Sequence, residues 1–149
     1  MSLCLLDTNI LLRLVHPFES QPTLIAEAVT SLRSNGETLC YTSQNMSEFW
    51  NACTRPAKNN GYGLTVEQTE RYARILENSF SILADSLSTY HIWRDLIVRY
   101  KVAGAQVHDA RLAAVMIAYS VPRLLTLNTR DFQRYREITT VHPADLQVS

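Results

Sequence analysis

The sequence predicts an α/β fold, a three-layer sandwich with a central parallel sheet of about five strands flanked by helices. Three observations predict it. Five short apolar runs, LCLL (3–6), TLCYT (38–42), FSILA (80–84), RLLTL (123–127) and ITTV (138–141), lack the alternation of a half-exposed strand. Most are separated by longer stretches of helical periodicity, and continuous hydrophobicity joined through helical crossovers marks a parallel sheet covered on both faces. The first run is followed directly by a carboxylate, Asp7, and the carboxyl ends of parallel strands are where ligand clefts open in such sheets.

Taken in order, LCLL is the first strand and TNILLRLV (8–15) the helix after it, with Asp7 a good candidate for its N-cap. Farther on, Ile25 and Val29 belong to early helices whose apolar residues suit core packing or a homodimer surface equally well. TLCYT leads into SQNMSEFWNA, where Phe49 and Trp50 are expected in the core. RPAKNNGYG (55–63) concentrates Pro, Asn and Gly and reads as a surface loop rather than a domain boundary. Thr65 and Gln68 form a capping box ahead of a helix through VEQTERYARILEN, and Ser88 opens a further helix that Gly104 closes. From Gln106 to Tyr119, Leu112, Val115, Met116 and Tyr119 share one helical face, which should dock on the sheet. Phe132, after the fourth run, is read as core.

The 149 residues suit a single domain, 1–149, and 46% hydrophobic with 19% charged residues describes a globular chain able to bury a core. Fourteen basic residues balance fourteen acidic ones, so no global positive field attracts nucleic acid and any polyanion site rests on local arrangement. No run approaches the roughly 20 apolar residues of a membrane span, and no export signal is visible. Three cysteines, Cys4, Cys40 and Cys53, have no paired spacing and sit in apolar surroundings; they are expected buried and free, in a reducing cytoplasm, which argues against zinc. No GxGxxG, P-loop or hydrolase nucleophile elbow is present.

Four acids draw the chemistry. Asp7 ends the first strand, Glu48 lies one helical turn beyond TLCYT, Asp109 near the start of VHDARLAAVMIAY, and Asp131 after RLLTL within LNTRDF. Each alone has a structural explanation. Asp7 can cap a helix, Glu48 and Asp131 stand three residues after Asn45 and Asn128 with capping-box spacing, and Asp109 complements a helix dipole. As a set, converging at one sheet edge, they would repel one another unless cations shared them, and oxygen-preferring Mg²⁺ or Mn²⁺ is the natural counter-ion. Arg13, Arg55, Lys58, Arg130, Arg134 and Arg136 are candidate phosphate contacts, with Arg130 favoured because it adjoins Asp131. His108, beside Asp109, reads as a histidine hydrogen-bonded near a helix start.

LLDTN (5–9), the glutamate of SEFWN (47–51), HDARLAA (108–114) and LLTLNTRDF (124–132) together resemble the PIN domain family and, within it, the single-domain VapC-type toxin ribonucleases. The resemblance spans most of the chain in the right order. It implies a PIN-like sheet with flanking helices and a divalent-metal-dependent endoribonuclease centre, in which water activated by Mg²⁺ or Mn²⁺ hydrolyses RNA to 5′-phosphate and 3′-hydroxyl ends. Asp7, Glu48, Asp109 and Asp131 would be its catalytic and metal-binding quartet, with Thr8 or Asn9 and Asn128 supporting by hydrogen bonds; substrate grip would come from local cations, Arg13 and Arg130 among them. It also implies a small antitoxin whose C-terminal segment covers the acidic cleft. Thr129 stands where some relatives carry a further acid, leaving the quartet without a spare. A catalytically weak RNA-binding or scaffold module is the alternative. A haloacid-dehalogenase-type phosphotransferase would need an acid where Asn9 stands.

Overall fold

The computed structural model describes residues 2–15 and 22–146, so His16 and its neighbours through Gln21 lie outside the described residues. Five strands form one sheet in the order β3-β2-β1-β4-β5: β1 (Leu3–Leu6), β2 (Thr38–Thr42), β3 (Ser81–Leu83), β4 (Arg123–Leu125) and β5 (Thr139–Val141). All four pairings are parallel. Six helices connect them: α1 (Thr8–Val15), α2 (Pro22–Ser34), α3 (Ser43–Thr54), α4 (Val66–Ser79), α5 (Leu87–Arg99) and α6 (Gln106–Ala118). The predicted strands are present, with the third, fourth and fifth shorter than their apolar runs.

Residues of the inner strands feed one of two cores by simple alternation, while Ser81, Ile82 and Thr139 on the edge strands are exposed. Cys4, Leu6, Leu39, Tyr41 and Leu125 point to one face, where they meet Ile10 and Leu11 of α1, Ile25 and Leu32 of α2, Phe49 of α3 and Leu76 of α4. Leu5, Cys40 and Leu124 point to the other, against Leu96 of α5 and Leu112 to Met116 of α6. Helices therefore cover both faces, which is why the strands show no polar side. Each fully buried leucine contributes about 1.5–3 kcal/mol. All three cysteines are free and buried. At the amino ends of the strands, Glu37 is nearly inaccessible and binds Arg123 through an ion pair and an Arg123 Nε donation of 3.0 Å, fastening β2 to β4 across β1.

Several local expectations are corrected. Ser86, not Ser88, caps α5: its hydroxyl accepts from Thr89 N–H (3.2 Å) and its own N–H donates to Thr89 Oγ1 (2.8 Å), a reciprocal box. The helix ends at Arg99, with Lys101 in the left-handed region (φ 53°), while Gly104 leads into α6 by accepting from Val107 N–H. Tyr119 is exposed, its hydroxyl donating to Ala84 O at 2.9 Å. Helix α6 is buried over most of its circumference between the sheet and α5, so a single docking face was too narrow a description. Ile25 and Val29 are core residues, not a homodimer surface. Among the described residues no helix is long and apolar enough to cross a membrane.

Candidate acidic centre

The chain leaves β1 toward β2 on one side and reaches β4 on the other, so the sheet reverses direction at β1 and a crevice opens at that reversal. Asp7 is the first residue beyond β1. Its backbone N–H donates to Leu125 O (3.0 Å), extending the ladder toward β4, and its carbonyl accepts from Ile10 (3.0 Å) and Leu11 (3.2 Å), starting α1. The side chain is only 8% exposed. Its Oδ1 accepts Thr8 N–H (2.8 Å), and Oδ2 accepts the Thr126 hydroxyl (2.7 Å) and, at 3.4 Å, the Asn9 amide. Burial pushes this carboxyl above the usual range; the Thr126 and Thr8 bonds oppose the rise, and the charge of Asp131 adds to it. Asp7 accepts an amide of the first turn of α1, as a cap does, yet its second oxygen is occupied from 119 residues away.

Glu48 is released from the capping role its spacing suggested. The cap of α3 is Thr42, which exchanges bonds with Asn45: Asn45 N–H donates to Thr42 Oγ1 (3.0 Å), and Thr42 N–H donates to Asn45 Oδ1 (2.9 Å). Asn45 also donates to Thr8 Oγ1 (3.1 Å), linking the α3 cap to the start of α1. Glu48, a turn later, accepts from Gln44 Nε2 (3.2 Å) and, at 3.5 Å, from Thr8 Oγ1. Although the residue is exposed overall, partial desolvation raises its carboxyl, with Asp7 adding to the rise and the Gln44 bond opposing it.

Asp109 sits half-buried in the first turn of α6 and is pushed up to about 6, by desolvation first and then by the charges of Asp131, Asp7 and Glu48. It is the group on which the other three fields converge. Asp131 is exposed, in a 3-10 turn (Thr129–Phe132) after β4 where Asn128 makes no side-chain cap bond. The charge of Asp131 thus adds to the rise at Asp7 and Asp109, and that of Asp7 to the rise at Glu48 and Asp109. Among the described residues no Lys or Arg forms an ion pair with any of them. Nor, among those residues, do three His, Cys, Asp or Glu side chains stand together tightly enough to hold a metal ion. Asp7 and Glu48 are instead held by neighbouring hydroxyl and amide donors. The donor set is oxygen-rich and carries uncompensated negative charge, which fits Mg²⁺ or Mn²⁺ and not a soft metal.

Of the supporting residues, Thr8 and Asn9 both contact the acids, and Asn9 Oδ1 also accepts Leu127 N–H (3.3 Å). Asn128 is exposed and contributes its backbone N–H, to Thr126 Oγ1 (3.0 Å); Thr126 is the residue whose side chain reaches Asp7. A hydroxyl interrupting the apolar run RLLTL was its sequence signal. Arg13 donates to Asn9 O (3.0 Å), and Arg130 is exposed next to Asp131. Gln44 and Arg111 were not anticipated: both line a cavity of about 450 Å³ with Ser43, Ser47, Glu48 and His108. Arg111 is three residues from His108 on α6, one helical turn, and that spacing was its signal. Phe49 and Phe132 are buried, and Trp50 packs partly buried against the core, as expected.

An α/β domain that gathers carboxylates at the reversal point of a parallel sheet is the class this fold and site define. The chain belongs to the PIN domain family, whose model matches residues 4–138. No curated protein sequence matches it significantly. Among solved structures it is similar to VapBC-1 from nontypeable Haemophilus influenzae (TM-score 0.73, 20% identity, 95% of this chain and 98% of that one). It is also similar to VapBC2 from Rickettsia felis bound to a promoter DNA fragment (0.72, 18%, 94% and 98%). VapC20 from Mycobacterium tuberculosis, a sarcin-ricin-loop-cleaving toxin, matches at TM-score 0.58 with 14% identity, over 81% and 86% of the two chains. At these identities the likeness is one of fold.

Proposed function

We propose that this protein is a divalent-metal-dependent endoribonuclease and the toxin of a toxin-antitoxin pair, active in the cytoplasm. The observation that supports the reading is the electrostatic coupling among carboxylates from four separate segments, none of them in an ion pair with Lys or Arg among the described residues, in a PIN domain. Asp7, Glu48, Asp109 and Asp131 would hold Mg²⁺ or Mn²⁺, which when bound supplies charge neutralisation at phosphate and activation of water.

The chain's own residues set up that chemistry. Thr126, Thr8 and Asn9 fix both Asp7 oxygens, so the buried carboxylate keeps one orientation. Gln44 and Thr8 direct the Glu48 carboxylate, and Gln44 ties it to α6 by donating to His108 O (2.9 Å). Arg111, with Arg13 and Arg130, supplies positive charge for the RNA backbone. The solved neighbours include VapBC assemblies, which supports an antitoxin partner; a Lys or Arg of such a partner would complement the acids.

The test is incubation of purified protein with structured RNAs in Mg²⁺ or Mn²⁺. Cutting is expected to stop with chelator and with Asp7→Asn, leaving 5′-phosphate and 3′-hydroxyl ends. Cutting that survives both changes would refute the scheme. Failure to bind either metal at millimolar concentration would replace it with the scaffold alternative.

A further inference from the structure

Beside the acidic cavity, a second one of about 520 Å³ opens between the amino-terminal halves of α5 and α6, lined by Asp85, Tyr90, Trp93, Val107, His108 and Arg111 among others. His108 and Arg111 belong to both walls, so the two spaces adjoin. Tyr90 is 52% exposed despite its ring. Its centroid lies 6.1 Å from that of Trp93, with the planes at 44°. Trp93 spends its single N–H on Val107 O (2.8 Å), which fixes the indole; the ring packs partly buried against the core and its remaining surface lines the cavity. Arg111 has only a loose contact with Asp85 (3.6 Å), both side chains being about two-fifths exposed; such a pair holds a guanidinium weakly. Asp85 in turn accepts from Ser43 Oγ (2.9 Å).

A ligand spanning both spaces is best matched if it is flat and apolar at one end and carries negative charge beside Arg111. A nucleotide has that shape and charge. We infer that this cavity receives an unpaired base of the RNA, stacked on Tyr90 and Trp93, while Arg111 holds the adjoining phosphate at the entrance to the acidic centre. The inference rests on the ribonuclease reading and adds to it a determinant of where a strand is cut. The occupied base must be unstacked from its neighbours, so the cavity selects loops and single strands over continuous duplex.

Two tryptophans, Trp50 and Trp93, are present in the chain, so Trp50→Phe leaves Trp93 as the only indole reporter. The measurement is fluorescence titration of the Trp50→Phe, Asp7→Asn protein in Mg²⁺ with a single-stranded RNA heptamer and with the same heptamer lacking its bases. The base-bearing strand is expected to quench Trp93, and the abasic strand to bind about 5- to 150-fold more weakly without quenching. Tyr90→Ala should lose affinity for the base-bearing strand to a similar extent, and Tyr90→Phe, which keeps a stacking face, should stay within about threefold. Equal affinity for both strands, or a Tyr90→Ala protein that binds normally, overturns the inference. So does the absence of quenching with either strand, which would assign the cavity to a protein side chain. Cleavage by otherwise wild-type protein separates the two readings. RNA cutting whose KM is untouched by Tyr90→Ala rejects the base site alone, whereas base-dependent binding without any cutting rejects the nuclease and keeps the site.

Discussion

Replacing Asp109 by Asn should make the metal-free protein more stable while removing its activity. The Asp109 carboxyl is displaced from 3.8 to about 6 by desolvation and by the three neighbouring acids. Fully expressed, that displacement is worth about 3 kcal/mol; the half-exposed position and solvent screening reduce it to about 1–2 kcal/mol. Because the folded value lies above the unfolded one, the group favours folding at pH below 3.8, and that contribution is lost as pH rises through 6. Above pH 6 the native state carries a charge it disfavours, and Asn removes it. At pH 7.5 in chelator, Asp109→Asn is expected to melt about 2–8 °C higher than the parent, with the gap closing toward pH 4. Thermal melts followed by circular dichroism across that pH range read it directly. A variant less stable at pH 7.5, or a gap independent of pH, would refute the claim that repulsion and desolvation dominate this position.

Saturating Mg²⁺ should raise the melting temperature of the parent by about 5–10 °C at a hundredfold excess over Kd, and scanning calorimetry should show most of that rise lost in Asp7→Asn. Thr126→Val keeps the shape of the side chain but deletes the 2.7 Å bond to buried Asp7, costing about 1.5–3 kcal/mol; urea melts should show the loss, and the acid limb of the pH–activity profile should move to higher pH. Gly61→Ala would place its Cβ 1.9 Å from the carbonyl oxygen of Arg55, so the 55–63 loop must shift, at about 1–3 kcal/mol, visible as a lower denaturation midpoint.

The sheet was legible because residues buried on both sides leave near-continuous apolar runs, and LCLL and TLCYT match β1 and β2 residue for residue. Asp7 was legible for the same reason, as a charge interrupting such a run. What local spacing could not resolve was which of two competing caps wins. The box at Thr42 and Asn45 begins at the last residue of β2, and that strand boundary decides that Glu48 is free. Thr126 acts across 119 residues of sequence, a partnership that exists only once β4 lies beside β1. Tyr119 was misplaced because α6 is enclosed by the sheet on one side and α5 on the other, a burial pattern with no strong helical periodicity.

The Asp7 amide is itself a rung of the sheet, bonded to Leu125 in the neighbouring strand. Its hydrogen exchange should therefore be as slow as that of the innermost amides, since no fraying of an end can expose it. Loosening that amide would break a bond between two central strands, so the backbone beneath the Asp7 carboxylate is held by the same ladder that orders the core.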